Sequence, residues 1–295
     1  MEEEKYIIDQ TNYPLGKDIN GEEGYIKDAQ AIVFSIILEI DRICRKNNIP
    51  YALAFGSALG IYNYQGFIPW DDDADLAVDY FDINRLKEAF DQDLGDEFEY
   101  VCYEKDERYN TLIPTFKVKK KVGYMQDKNY SWWRDHTKSY EGFYVDIVAF
   151  MHMKSKASHR FHIFKSQIKM VFYFISDFIF KHDPKGMKRR MKKLENKVAN
   201  ENKEGEYVCQ SIILPFQNAK VNLYPKDVIY PFKEYTFNGA KLYSFNNIKE
   251  FCVIRYGEKS LKKEINGELI DLLPISKRKV QHVRNFSFSN FRKTD

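Results

Sequence analysis

Cysteine is scarce in this chain, and the four present (Cys44, Cys102, Cys209 and Cys252) stand far apart with no C-x-x-C pair. That spacing gives neither a zinc ribbon nor a disulfide framework. Long apolar runs are also missing: no stretch approaches the roughly 20 residues that a membrane-spanning helix requires. The opening Met1-Glu2-Glu3-Glu4-Lys5 is acidic and lacks the basic-then-apolar order of a secretory leader, so a cytoplasmic location is expected. Internal repeats and low-complexity linkers are absent, which leaves the borders between parts of the chain soft.

A large net charge is absent as well, but the total of +3 hides an asymmetry. Residues 154–203 hold 14 Lys/Arg against 4 Asp/Glu, and the rest of the chain is acidic on balance. A positive region beside an acidic one suits an anionic partner such as a membrane surface, a phosphorylated lipid or nucleic acid. Aromatic residues are plentiful, with 21 Tyr and 23 Phe in 295 residues. A chain of that length and composition can bury a sizeable core.

Hydrophobic spacing supplies a coarse order of elements. Val33, Ile36, Ile37, Ile40 and Cys44 recur at three- and four-residue steps, so 28–47 reads as a helix, ended by Asn47-Asn48 and Pro50. Tyr51–Phe55 is a short apolar run, read as a strand that delivers Gly56-Ser57 to a turn, and Ala58–Tyr64 reads as a short helix. Asp73–Val78, Thr115–Val122 and Phe143–Phe150 have strand character. A helix is expected over 82–94, with Ile83, Leu86, Phe90 and Leu94 on one side. The chain then turns helical and basic from 152 to 203, and mixes short strands with a helix near 246–256 further on.

The densest chemistry lies in Gly66-Phe67-Ile68-Pro69-Trp70-Asp71-Asp72-Asp73-Ala74-Asp75. Four carboxylates in five residues repel one another unless a cation sits among their oxygens. Hard divalent cations prefer such ligands, so Mg²⁺ is the expected cofactor, with Mn²⁺ as a substitute. Asp73 and Asp75 are two apart and share one face of a strand. Asp146 lies in a second apolar strand, and if the two strands are neighbours three carboxylates converge, the arrangement of metal-assisted phosphoryl transfer. Gly56 and Ser57, at the start of a helix, would offer backbone N–H groups and a hydroxyl to a phosphate. Asp71 and Asp72 either shape the loop or support the metal ligands. Trp70 either stacks on a base or anchors the core.

The blocks Gly56-Ser57-Ala58-Leu59-Gly60 and Gly66–Asp75, within residues 36–80, resemble the LicD family of phosphocholine transferases, whose core is shared with fukutin-related ribitol-phosphate transferases. The pattern continues around Asp146 and reappears weakly at Phe237-Asn238-Gly239 and Tyr256-Gly257. The resemblance implies a nucleotidyltransferase-type α/β fold: a small mixed sheet flanked by helices, with added basic helices and a C-terminal accessory region. It also implies a CDP-linked donor, a glycan acceptor, Asp73 and Asp75 as metal ligands, and Asp146 as the third carboxylate. One departure stands out. The family's usual basic residue between the two blocks is missing from Ile61-Tyr62-Asn63-Tyr64-Gln65, which makes Lys117 and Lys119 the candidate phosphate partners, or else changes the donor.

Tyr130, Trp132, Trp133 and Tyr140 could hold a quaternary ammonium through their ring faces, or could form a lid or a sugar platform. Residues 161–193 combine an apolar stretch with a dense basic run, readable as an interfacial helix on an anionic leaflet near a lipid-linked acceptor, or as a helix packed on the core. Few aromatics interleave its basic end, so nucleic acid is not an expected partner. His159 and His162 are three apart without further ligands nearby, so no zinc is expected there. The expected parts are an N-terminal extension (1–27), a catalytic core (28–151), a basic helical region (152–205) and an accessory region (206–295). The functional expectation is a metal-dependent phospho-alcohol transferase at the inner membrane face. Two alternatives stand beside it: an NTP-using nucleotidyltransferase, and a non-enzymatic membrane- or nucleic-acid-binding module with a vestigial site.

Overall fold

The computed structural model describes residues 12–102, 104–105, 115–121, 124–127, 142–180, 184–213, 222–265, 268–270, 280 and 283–288. A short hairpin, β1 (Pro14–Lys17) and β2 (Glu23–Tyr25), precedes α1 (Ile26–Lys46). The expected apolar positions of α1 are all buried, together with Ile26, Ala29, Ile32 and Ile43. Then follow β3 (Tyr51–Ala54), α2 (Phe55–Tyr64), β4 (Asp75–Asp79), α3 (Ile83–Asp93), β5 (Phe98–Val101), β6 (Thr115–Lys120), β7 (Tyr124–Asp127) and β8 (Tyr144–Met153). Two long helices come next, α4 (Lys156–Phe180) and α5 (Pro184–Glu201). The rest comprises β9 (Tyr207–Cys209), β10 (Leu223–Pro225), α6 (Lys226–Ile229), β11 (Lys233–Phe237), β12 (Ala240–Ser244), α7 (Ile248–Tyr256), β13 (Lys263–Ile265), β14 (Glu268–Ile270) and β15 (Val283–Ser287).

The fold is α/β, built on one mixed nine-stranded sheet flanked by helices. Its centre is β8, long enough to serve three neighbours. It runs parallel to β4 on one side; on the other, its first half pairs antiparallel with β6 and its last residues with β9. Next to β4 comes antiparallel β3, and β12 extends the sheet beyond β3. Strands β9 to β12 all come from beyond residue 206, so the C-terminal part shares the sheet that holds the carboxylates.

The main core covers this sheet with α1, α2, α3 and α7. A second apolar cluster, including Met151, Met153, Ile163, Met191, Leu194, Val198 and Ile212, lies under the α4–α5 pair. The structure corrects two local expectations: β4 begins at Asp75, so Asp73 lies in the preceding loop and does not share a strand face with Asp75, and the start of α2 also differs. The helix after β3 begins at Phe55, not Ala58, because Phe55 adopts φ +46° and turns the chain at once. Gly56 and Ser57 therefore form the first helical turn rather than a preceding loop.

Candidate active site

The carboxylate loop is fixed by neighbours distant in sequence. Gln30 of α1 donates to the carbonyls of Ile68 (3.1 Å) and Asp71 (2.9 Å). Phe67 packs on Phe237 with ring centroids 4.8 Å apart, and the Asn238 amide donates to the Gln65 carbonyl at 2.9 Å. Gly60 is required where loop and helix meet, since a Cβ there would stand 2.3 Å from the Gly66 carbonyl oxygen.

Strand pairing then sets the chemistry. Asp75 opens β4 and lies directly beside Asp146 of β8, and Lys117 of β6 lies beside Asp146 on its other side. The three form one row across adjacent strands. The Lys117 ammonium contacts both Asp146 oxygens, at 2.8 and 2.9 Å, and sits 3.3 Å from the centre of the Tyr144 ring. Ser57 accepts a hydrogen bond from the Asp75 amide at 3.1 Å, and the Asp146 amide donates to the Ala74 carbonyl at 3.0 Å. The expected convergence of β4 and β8 thus rests on backbone register.

Asp75 keeps partial exposure through the cleft mouth, yet protein crowds it. Burial, then the carboxylates of Asp73, Asp146 and Asp71, push its pKa well above the ordinary range, against a lowering by Lys117. The same field acts on Tyr256, whose phenol is raised by burial and by Asp75. Gly56 lets Asp71 approach: a Cβ on it would lie 2.9 Å from the Asp71 Oδ2.

These residues line a cleft of about 500 Å³, walled by Gly56, Leu59, Tyr64, Trp70 and Tyr256 and carrying Asp71, Asp73 and Asp75. That volume is ordinary for a small-molecule site. Trp70 is anchored in the core and also borders the cleft. It stands edge-on to Tyr13 and Tyr64 at 6.1 Å each.

Several expected donor-binding residues stand elsewhere. Asp72 turns inward and accepts the Val283 amide at 2.6 Å, tying the loop to β15. Lys117 and Lys119 are buried and do not line the cleft; Lys117 is engaged with Asp146, and Lys119 with Glu99 at 3.3 Å. Tyr130, Trp132, Trp133 and Tyr140 lie outside the described residues.

The cleft's cations come from a part of the chain that sequence reasoning passed over. Arg255 ends α7, and Lys259 sits in the 3-10 turn Glu258–Ser260 that follows Gly257, whose φ of +84° makes the bend. Gln210, just after β9, completes the wall. The departure at Asn63 has a structural explanation. Its side chain donates to the Ser260 carbonyl (2.9 Å) and accepts the Lys262 amide (3.0 Å), so it holds in place the turn that carries Lys259. The one signal for this wall was the Tyr256-Gly257 block, which borders Arg255.

The donor set suits a hard divalent cation in its chemistry, being all oxygen with mutually repelling charges. Its geometry is not a finished cage. Among the described residues, no three His, Cys, Asp or Glu side chains form a group that could hold a metal ion. Of the expected trio, Asp73 and Asp75 line the cleft, whereas Asp146 pairs beside Asp75 in the sheet, is committed to Lys117 and does not line the cleft.

The chain is thus a mixed-sheet α/β protein with a carboxylate-bearing cleft beside the start of β4. Residues 48–183, from just before β3 to just past α4, match the family model described as LicD/FKTN/FKRP, nucleotidyltransferase domain. Over 73 residues the chain is 26% identical to the lipopolysaccharide cholinephosphotransferase LicD of Haemophilus influenzae (strain ATCC 51907 / DSM 11121 / KW20 / Rd). That similarity covers 25% of this chain and 28% of the relative's length.

Proposed function

We propose that this protein transfers a phospho-alcohol, either phosphocholine or a ribitol or glycerol phosphate, from a CDP-linked donor to a sugar hydroxyl of a cell-surface glycan precursor. The observation that carries this reading is the row Asp75–Asp146–Lys117, set beside a cleft with Asp71 and Asp73 on one wall and Arg255 and Lys259 on another. A cleft with both signs of charge suits a pyrophosphate whose oxygens need cations and an attacking hydroxyl that must lose a proton.

In this reading Asp73 and Asp75 hold a Mg²⁺ or Mn²⁺ ion, which supplies positive charge to the donor phosphates. Arg255 and Lys259 add fixed cations, the role first expected of Lys117 and Lys119. The N-terminus of α2, which no side chain caps, offers amide hydrogens to the same phosphates. Trp70 and Tyr64 present aromatic surface to the cytosine. Asp146, positioned by Lys117, takes the proton of the attacking sugar hydroxyl at its carboxylate.

The test is a panel of CDP-choline, CDP-ribitol, CDP-glycerol and NTPs, with and without Mg²⁺. Release of CMP from one CDP-alcohol is the expected result; release of pyrophosphate from an NTP instead would favour nucleotidyl transfer. Asp146→Asn should abolish turnover while donor binding survives, and near-normal turnover would reject the base assignment.

A further inference from the structure

Helix α4 has two faces. Ile163 and Ser166 are buried, and Met170 and Tyr173 pack against the second apolar cluster. On the other side Phe161, Phe164, Ile168, Val171, Phe172 and Ile175 are all about half exposed or more, between 49% and 66%. At 3.6 residues per turn these six fall within an arc of about 100°, turned away from the packed face. Monomeric soluble proteins rarely leave so continuous an apolar stripe in water.

The borders of the stripe are basic. Lys165 and Lys169 follow one edge in helical projection and Arg160 the other, with the Lys165 ammonium 5.7 Å from the Phe161 ring centre. Exposed Arg189, Lys192 and Lys193 lie on neighbouring α5, within the region of net +10. An apolar stripe rimmed by cations is complementary to acyl chains below anionic headgroups, where long basic side chains can reach outward. Among the described residues no helix is long and apolar enough to cross a membrane. The chemistry is that of a helix lying in the interface rather than spanning it.

The buried face of α4 is linked to the cleft wall through one short segment. Gln210 lines the cleft, Ser211 bonds to Glu195 of α5, and the Ile212 carbonyl accepts from Ser166 of α4. We infer that the exposed face of α4 docks this protein on an anionic lipid surface. The docking stands on this face and its charge. A consequence, that the acceptor is a lipid-anchored glycan met at the membrane, rests on the transferase reading above.

The experiment is co-sedimentation of the full chain with vesicles of phosphatidylcholine alone or mixed with phosphatidylglycerol. Binding to the mixed vesicles is expected, with Phe164→Glu/Phe172→Glu lowering the partition at least ~10-fold at an unchanged melting temperature, since both rings are exposed. Lys165→Glu/Lys169→Glu should erase the preference for anionic lipid. Three results would overturn the inference: no wild-type binding, undiminished binding of the double-Phe variant, or a solution dimer that this variant dissociates without any vesicle binding. CMP release from a soluble donor, measured in parallel, keeps the two proposals separable: it can persist when docking fails, and docking can persist when it is absent.

Discussion

Asp75 shows what the site costs its own residues. Its pKa is raised first by burial and then by three neighbouring carboxylates, so it favours folding when protonated and opposes it when ionised. By linkage its contribution is full below the unfolded-state value and is lost as pH rises through the higher folded-state value. At neutral pH Asp75→Asn should therefore raise the melting temperature by roughly 2–4 °C while abolishing turnover. A lower melting temperature for that variant would contradict the crowding described here. Lys117 makes the opposite case. Lys117→Met would leave Asp146 without its nearest cation, and a loss of about 2–4 kcal/mol is expected in denaturant unfolding.

Elements place these residues by register rather than by their own preferences. Strand β8 sets Asp146 between Asp75 and Lys117 because it runs parallel to β4 and antiparallel to β6. A slip of one residue in either pairing would turn Asp146 to the other face. Helix α5 carries a second titration. Glu195 is buried beneath it, accepts a hydrogen bond from Ser211, and is pushed up to about 8, chiefly by burial. Its stabilising contribution belongs to the protonated form and is lost as pH rises through about 8. Between about pH 6 and about pH 9 the wild type should lose melting temperature relative to Glu195→Gln. An unchanged difference across that range would show that Glu195 does not govern the fit of α5 on the sheet.

At the scale of the whole molecule, the cleft is assembled from residues 55–75, Gln210 and the stretch 255–260, so a ligand bound there reports on the fold as a unit. A donor and Mg²⁺ together at a hundredfold their dissociation constant should stabilise the protein by about 2.7 kcal/mol. Asp73→Asn should remove that gain without lowering the melting temperature of the ligand-free protein, and a gain that survives the substitution would move the cation elsewhere. The sequence by itself determined the order of the main elements over 28–150, though not β5 or β7, because α1, β4 and β8 carry their burial in local spacing that survives any tertiary arrangement. It also marked Asp73, Asp75 and Asp146, since carboxylates so dense or so apolar in setting are costly without a purpose. Only the tertiary structure decided which charges share the cleft. Asp72 was drawn inward by the Val283 amide, Lys117 was engaged by Asp146, and the turn carrying Lys259 was held by Asn63 across some two hundred residues, while Arg255 came in at the end of α7. Those outcomes depend on which strand neighbours which and on hydrogen bonds between distant segments, and no local pattern of residues encodes either.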